Sequence, residues 1–267
     1  MERRTFEQFR ALIYEKSGIS LGSQKVALVS ARVGKRMRAL DISSYADYLE
    51  YVKADDSGNE LVQLLDAIST NVTSFFREPR HFEFLSEVLA RWQAEGQRRF
   101  RLWSAASSTG EEPYTIAITI LESLQMHGLD VRILATDIST RVLEACLRGE
   151  YAPAKLDPVS GQLRERYFKR EGGRTDGVYR VSDRLKSMVT FRRLNLSTPP
   201  YPMKGPMDVI FCRNVMIYFD DAIRQRLVSE LYRLLKPGGY LMIGHSESLT
   251  SVQSKFRIVR PAIYQKE

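Results

Sequence analysis

Strand-like and helix-like segments alternate from about residue 98 onward, and this alternation constrains the fold more than any other feature. Five strand-like runs are recognisable: RRFRLW, VRILATD, VTFRRLNL, DVIFCRN and YLMIGH. Helical periodicity fills much of the chain between them, most strongly in DDAIRQRLVSELYRLL, which stops at Lys236-Pro237-Gly238-Gly239. The pattern predicts an α/β fold with a parallel sheet covered on both faces, extended by a final strand pair from FRIVRPAIYQ.

The segment 151–187 interrupts this alternation. Within it, YFKREGGRTDGVYRVSDRL is typical of two short strands around a polar turn that contains glycine. We therefore expect a small antiparallel β insertion in the sheet domain.

Residues 1–70 predict helices only. Two sets of apolar residues recur at helical spacing: Phe6, Phe9, Leu12 and Ile13, and then Val26, Val29, Val33, Met37 and Leu40. A second stripe on the helix in 25–40 carries the basic residues Lys25, Arg32, Lys35 and Arg36. Ser43-Ser44 precedes a helix expected near 45–54, and another helix is expected through Glu60–Ile68.

The charge of the chain favours an acidic partner. Its 40 Lys and Arg exceed its 32 Asp and Glu, which gives a net charge of +8. Residues 1–40 contain nine basic and three acidic residues, whereas 41–70 contain one basic and seven acidic residues. The helical segment is thus nearly neutral overall but strongly polarised.

The sequence gives no sign of export or membrane insertion. No apolar run approaches about 18 residues, and MERRTFEQFRALIYEKSG lacks the apolar core of a secretory signal. We expect a cytoplasmic protein in which Cys146 and Cys212 are reduced thiols. The histidines His81, His127 and His245 are scattered at no ligand spacing, so no metal site is expected.

The turn after the first strand, SAASSTGEE, is a candidate ligand site. Small residues between a strand and a helix N-terminus let a ligand approach the backbone closely. Dinucleotide sites carry G-x-G-x-x-G here, but this turn has one glycine and opens its helix with Glu111 and Glu112. Those glutamates would repel a phosphate and favour a cationic nucleoside such as S-adenosylmethionine. An ordinary strand-to-helix turn is the alternative.

Polar residues follow three further strands, at the edge where ligands of parallel sheets bind. Asp137 ends the second strand, where a carboxylate can accept hydrogen bonds from both ribose hydroxyls; the alternative is a helix N-cap. Asn195-Leu196 would contact an adenine, and Tyr218, four residues beyond Arg213-Asn214, would face the reacting group. Local capping or packing is the alternative for each of these residues.

Several motifs resemble the chemotaxis receptor methyltransferases, the CheR family: SAASSTGEEPYTIA, ILATDIS, FCRNVMIYF, LLKPGGYLMIGHSESL and TNVTSFFREPRHFEFL. The resemblance covers nearly the whole chain. It implies an all-α N-terminal domain (1–70) for receptor recognition. A linker and leading helix (71–97) that contribute to the cofactor site would follow, and then a class I, Rossmann-like S-adenosylmethionine-dependent methyltransferase domain (98–267). The β subdomain would lie at about 151–187.

The resemblance also implies an activity and a site. The reaction is methyl transfer from S-adenosylmethionine to glutamate side chains of methyl-accepting chemotaxis receptors, leaving S-adenosylhomocysteine. The implied cofactor-binding residues are Asn71, Thr73, Arg77, Glu112 (or, less favoured, Glu111), Asp137, Asn195, Leu196, Arg213 and Asn214. Arg77 and Tyr218 correspond to the catalytic residues beside the methyl group. The basic stripe would dock on the cytoplasmic receptor helix, and the β insertion is a candidate site for a receptor's C-terminal pentapeptide.

Two other functions are considered. A pI near 9.5 suits a nucleic-acid methyltransferase, but adenine-N6 enzymes carry [ND]PP[YF] where this chain has Arg213-Asn214-Val215-Met216. Cys212 follows Phe211 inside a strand-like run and is expected to be a buried apolar thiol, not a nucleophile. A non-catalytic module that senses the cofactor is the second alternative, and the presence of both Arg77 and Tyr218 argues against it.

Overall fold

Four helices form the beginning of the chain in the computed structural model, which describes residues 1–69, 71–173 and 177–267. They are α1 (Arg3–Ser17), α2 (Val26–Ala39), α3 (Tyr45–Ala54) and α4 (Asn59–Ile68), with a short 3-10 turn at Ser23–Lys25. Their apolar faces share one core that includes Phe9, Val29, Tyr48 and Leu64. The prediction of an all-helical segment is confirmed.

Local signals in this segment act as predicted. The Ser44 Oγ accepts hydrogen bonds from the backbone N–H groups of Ala46 (3.2 Å) and Asp47 (3.4 Å), so it caps α3. On α2 the apolar stripe turns inward, and Val29 and Val33 are fully buried. A cap of this kind stabilises a helix by about 1 kcal/mol.

The remaining helices and strands build two sheets. The helices are α5 (Arg80–Ala94), α6 (Glu111–Ser123), α7 (Thr140–Arg148), α8 (Gly161–Tyr167), α9 (Asp183–Met188) and α10 (Asp221–Leu234). The strands are β1 (Arg99–Ser104), β2 (Asp130–Asp137), β3 (Glu150–Tyr151), β4 (Phe168–Glu171), β5 (Val178–Val181), β6 (Val189–Arg193), β7 (Met207–Cys212), β8 (Leu235–Ile243), β9 (Phe256–Arg260) and β10 (Ile263–Lys266). Short 3-10 turns occupy Pro153–Leu156 and Met216–Tyr218.

The large sheet has the order β6-β2-β1-β7-β8-β10-β9. The first five strands in this order are parallel, and β10 runs antiparallel to both of its neighbours. Successive side chains of a strand point to opposite faces, so Phe211 packs in the core with α5 and α6, and Cys212 packs with α10. The predicted sheet covered on both faces is confirmed, and Cys212 is a buried strand residue.

A second sheet, of order β3-β5-β4 and all antiparallel, lies in the interruption at 151–187 and begins one residue before it, at Glu150. The predicted strand pair corresponds to β4 and β5. Residues 174–176 of the expected turn lie outside the described residues. Within the described parts of the chain, no helix has the length and apolar character needed to cross a membrane.

The end of α1 lies directly on the carboxyl edge of the large sheet. Gly18 has a φ of 73°, and a Cβ atom there would lie 2.4 Å from the Cβ of Ser197. Beside it, the backbone N–H of Ser20 donates to the Tyr218 carbonyl (2.8 Å). Only glycine allows this approach, which brings the helical segment over the end of the sheet.

Candidate functional site

A cavity of about 390 Å³ opens at the carboxyl ends of β1, β2, β6 and β7, beneath the helical segment. This volume is within the range of about 300–1,000 Å³ that is usual for small-molecule sites. Every residue predicted for the cofactor and the catalytic step lines it: Asn71, Thr73, Arg77, Glu112, Asp137, Asn195, Leu196, Arg213, Asn214 and Tyr218. The structure therefore brings together residues that lie up to 147 positions apart, from Asn71 to Tyr218, in sequence.

Asp137 is held at the end of β2 by backbone donors. Its two carboxylate oxygens accept hydrogen bonds from the N–H groups of Ser108 (2.9 Å) and Ser139 (3.0 Å). Burial raises the pKa of Asp137 to about 6, although these hydrogen bonds favour the charged form. The cap of α7 is Ser139, whose Oγ accepts from the Val142 N–H, so Asp137 is not the N-cap residue.

The turn between β1 and α6 is fixed from several sides. Ser108 and Gly110 both have positive φ, 47° and 98°. A Cβ atom on Gly110 would lie 2.7 Å from the Tyr151 hydroxyl and 3.1 Å from the Cys146 sulfur. The Ser108 hydroxyl donates to the Asn71 carbonyl (3.1 Å), which joins the turn to the linker. Glycine at 110 thus lets the turn lie against α7 and the insertion.

The two glutamates that open α6 point in different directions. Glu112 lines the cavity, where it accepts hydrogen bonds from the Ser104 hydroxyl (2.7 Å) and from Arg213 (2.9 Å). Glu111 is fully buried and accepts from Lys155 of the insertion (2.9 Å). Burial raises the pKa of Glu112, and Arg213 opposes that shift. Of the two alternatives, the geometry favours Glu112 for a ligand contact.

Arg213 connects the sheet to the linker. It is buried, and its guanidinium donates to Glu112, to Glu78 (3.0 Å) and to the Arg77 carbonyl. Charge-assisted hydrogen bonds of this kind are about twice as strong as neutral ones. Most of the donors of Arg213 are therefore used within the protein, so its main effect on the cavity is to fix the linker beside it.

Two supporting residues were missed by sequence reasoning. Glu247 is buried, and its carboxylate accepts from the backbone N–H groups of Asn214 (2.8 Å), Gly244 (2.7 Å) and Met216 (2.8 Å). Glu78 accepts from the N–H of His245 at 3.2 Å, as well as from Arg213. In the sequence, the one indication of a role for these two residues is that they lie within the family-like motifs, in GHSESL and SFFRE.

Asn195 joins the sheet to the helical segment. Its side-chain amide donates to the Lys16 carbonyl (3.0 Å), and its oxygen accepts from the Ser197 N–H and hydroxyl. These hydrogen bonds use part of the Asn195 amide. The predicted contact with an adenine edge would therefore use its remaining hydrogen-bonding capacity. Leu196, beside it, is buried at the cavity wall.

Arg77 and Tyr218 reach the cavity from opposite segments. Arg77 lies on the linker, and its guanidinium donates to the Val72 carbonyl (2.8 Å). Tyr218 ends the 3-10 turn that follows β7. Both side chains are partly exposed.

The predicted basic stripe is divided by the fold. Arg36 pairs with the buried Glu60 through two hydrogen bonds of 3.0 and 2.6 Å, and Arg32 donates to backbone carbonyls at the end of α4. Lys25 and Lys35 are exposed, and Lys25 also lines the cavity. The two arginines therefore stabilise the helical segment, and the two lysines remain on the surface.

Three side chains that could bind a metal lie close together: Glu78, its neighbour His81 and, from a distant part of the chain, His245. The two imidazole rings are 5.0 Å apart. However, Arg213 already pairs with the Glu78 carboxylate. Burial, followed by the positive charge of Arg213, lowers the pKa of His81 to about 3. The carboxylate of Glu78, the charged ligand of this group, is therefore already neutralised within the protein.

The chemistry of the lining fits S-adenosylmethionine. Asp137 offers carboxylate oxygens at the strand end where ribose hydroxyls bind in nucleoside sites. The hydrogen-bond donors of Asp137 among the described residues include no cationic side chain, so it adds negative charge to this wall, whereas Glu112 is paired with Arg213. A carboxylate at this position suits a cationic ligand and disfavours a phosphate.

Comparison with known proteins agrees with this geometry. Residues 71–264 match the family model described as CheR methyltransferase, SAM binding domain, and residues 4–69 match CheR methyltransferase, all-alpha domain. The chain is 40% identical over 262 residues to chemotaxis protein methyltransferase 2 of Pseudomonas aeruginosa, covering 98% of this chain and 92% of that protein.

Two further relatives are similar over nearly their whole length. The chemotaxis protein methyltransferase of Salmonella typhimurium is 39% identical, covering 97% of this chain and 88% of the relative. That of Escherichia coli is 38% identical, covering 97% and 89%.

Proposed function

The chain belongs to the CheR methyltransferase family, and from this premise we propose that it methylates glutamate side chains of methyl-accepting chemotaxis receptors. It is an S-adenosylmethionine-dependent methyltransferase, and the products would be glutamate methyl esters and S-adenosylhomocysteine. One observation carries the proposal. Arg77 and Tyr218, which come from two separate segments, line the same cavity as the acidic residues Asp137 and Glu112.

The cofactor, when bound, supplies a methyl group on a positively charged sulfur. Asp137 would accept hydrogen bonds from the ribose hydroxyls, and Leu196 would pack against the adenine. Glu112 would provide negative charge near the cationic part of the ligand. Asn71, Thr73 and Asn214 add polar groups to the walls, and Arg213 keeps the linker in place against Glu112.

The acceptor needs no general base. A glutamate side chain has a pKa of about 4.3 and is therefore already the nucleophilic carboxylate at neutral pH. The work of the protein is to align this carboxylate with the methyl group and to remove water from it. Positioning of this kind can lower a barrier by about 7–11 kcal/mol. We assign the orientation of the carboxylate to Arg77 and a directional hydrogen bond to Tyr218.

Receptor recognition would fall to the helical segment 1–70, with 71–97 closing the cofactor site and 98–267 forming the methyltransferase domain. Lys25 and Lys35 are the exposed members of the predicted basic stripe, and they would meet the acidic receptor helix. At the subdomain, β4 is an edge strand, so a receptor's C-terminal peptide could add to it as a further strand. Titration with such a pentapeptide tests that contact, and absence of binding excludes it.

The decisive assay measures transfer of a tritiated methyl group to receptor fragments and to RNA. A methyl ester must be released by mild base, whereas a methylated nucleobase is not. In the same assay, Arg77→Ala and Tyr218→Phe should lower kcat with little change in cofactor affinity. Normal turnover by both variants, with normal cofactor binding, would exclude the roles assigned to these residues.

Receptor docking is tested by Lys35→Glu, because Lys35 is exposed and lies outside the cavity lining. We expect KM for a receptor fragment to rise several-fold at low salt, because an exposed charge pair contributes about 0.2–1 kcal/mol. Lys53→Glu, on α3, makes the same charge change in the acidic part of the segment and is the control. Equal KM values for the two variants would rule out docking through Lys35. Arg36 is unsuitable for this test, because it stabilises Glu60.

A further inference from the structure

Three exposed apolar side chains surround the mouth of the cavity. They are Leu28 on α2 (38% exposed), Val72 on the linker (74%) and Ile217 in the turn after β7 (54%). All three line the cavity, although they come from three separate segments. We call them the apolar rim.

The location of the rim, not its exposure alone, points to a binding role. Single exposed apolar residues are common on protein surfaces, but a cluster bordered by polar residues marks an interaction site. Lys25 lies three residues before Leu28 and lines the same cavity. Arg77, which lies beside Val72, lines the cavity too. The mouth thus offers apolar contacts and positive charge side by side, which matches an amphipathic, acidic helix.

We propose that the apolar rim binds the apolar side chains next to the acceptor glutamate on the substrate helix, and thereby selects which glutamates are methylated. This inference rests on the function proposed above. A glutamate side chain is short, so its helix must come close to the mouth before the carboxylate enters. Residues three and four positions away lie on the same helix face, about 5–6 Å from the glutamate. Those residues are the ones that meet the rim.

The charges of the protein favour this occupant over a second copy of the chain. The helix that carries Leu28 also carries the exposed Lys35, and the whole chain has a net charge of +8. Two copies that met through this face would bring like charges together. A helix rich in glutamate instead complements both the cations and the rim.

The test uses two receptor-derived helical peptides that share one acceptor glutamate. In one peptide the residues at positions ±3 and ±4 are leucine and alanine, and in the other they are serine. The unmodified enzyme should show a KM about tenfold lower for the apolar peptide. Leu28→Ser/Ile217→Ser should lose most of this preference, measured as the ratio of the KM values for the two peptides.

Leu147→Ser is the matched control, because Leu147 on α7 is 62% exposed and lies outside the cavity lining. It should keep the full preference for the apolar peptide. If the role of the rim is only structural, the rim variant will change KM for both peptides by the same factor. The ratio of the two KM values would then be unchanged, and this result overturns the proposal. The proposal is also overturned if the rim variant changes the self-association of the protein and leaves the KM ratio unchanged. That result would assign the rim to contact with a second copy of the chain.

The outcomes separate this inference from the proposed function. If the unmodified enzyme forms no base-labile methyl product on any receptor fragment, the proposed function fails. If it methylates receptor fragments but the rim variant and the unmodified enzyme discriminate the peptides equally, only the rim inference fails.

Discussion

Replacement of Asp137 by Asn tests the cofactor site most directly. Asp137 is buried at the end of β2, and both of its oxygens already accept backbone hydrogen bonds. The substitution keeps the size of the side chain but removes its charge and one acceptor. A hydrogen bond to a charged group contributes about 1.5–3 kcal/mol. We therefore expect the Kd for S-adenosylmethionine at pH 8 to rise about 10- to 150-fold.

The pH dependence supplies a second, independent measure. Burial raises the pKa of Asp137 to about 6, so lowering the pH through 6 protonates the carboxylate before cofactor binds. A carboxylate with this pKa is about 99% ionised at pH 8 and about 9% ionised at pH 5. If the ionised form binds the cofactor, Kd should be about tenfold larger at pH 5. Asp137→Asn should lose this portion of the pH dependence.

In the free protein, the effect of Asp137 on folding stability changes with pH in the opposite direction to its effect on cofactor binding. Because the folded pKa lies above the unfolded value near 3.9, the folded state binds the proton more tightly. The stability from this group is present below pH 4 and is lost as the pH rises through 6. Bound cofactor should reverse that loss, so the increase in Tm on cofactor addition should be larger at pH 8 than at pH 5.

Isothermal titration calorimetry at pH 5, 6, 7 and 8 provides the measurement. Asp130→Asn, at the exposed start of the same strand, is the control and should leave Kd unchanged. Our reasoning is refuted if Asp137→Asn retains the full pH dependence of the unmodified enzyme. It is equally refuted if the affinity of Asp137→Asn at pH 8 equals that of the control.

Two further predictions concern the assembly of the site. Arg213→Met removes the cation that pairs with the buried Glu112 and the partly buried Glu78, and it should destabilise the fold by about 3–5 kcal/mol in urea unfolding; a loss below 1 kcal/mol would contradict the pairing. Gly18→Ala should weaken cofactor binding and lower Tm, because its methyl group would enter a neighbouring side chain at 2.4 Å. Gly58→Ala has a similar φ of 67° with nothing within 4 Å, so it should show only the backbone strain of about 1–2 kcal/mol. Equal effects of the two alanine variants would remove the role assigned to Gly18.

The features that the sequence predicted well are those that repeat locally. Cys212 follows Phe211 inside the strand-like run DVIFCRN, which predicts a buried apolar thiol, and it is fully buried in β7. Ser44 stands directly before an amphipathic run and caps it. Strand ends in a parallel sheet share one edge, which is why Asp137 and Asn195 could be placed at one site.

The features that it did not predict depend on contacts between distant segments. Helical periodicity placed Arg36 on a polar stripe, but Glu60, its partner, lies 24 residues away on another helix. Neighbouring helix residues are about 100° apart, so the sequence alone could not decide whether Glu111 or Glu112 faces the ligand. Glu247 lies in a loop without periodicity, and its role depends on how that loop folds against the turn after β7.

These long-range contacts explain why the cavity requires the whole chain. Its sheet wall lies at the ends of the parallel strands. Arg77 is held beside this wall because Arg213 and Ser108 bind the backbone of the linker. Its upper wall comes from α1 and the residues after it, which are held by Asn195 and by the Tyr218 carbonyl. A ligand that touches all three walls stabilises them together, since it binds only the assembled state. Cofactor binding and the placement of the helical segment should therefore be coupled, and the surface proposed to meet the receptor takes its position from the same contacts that complete the site.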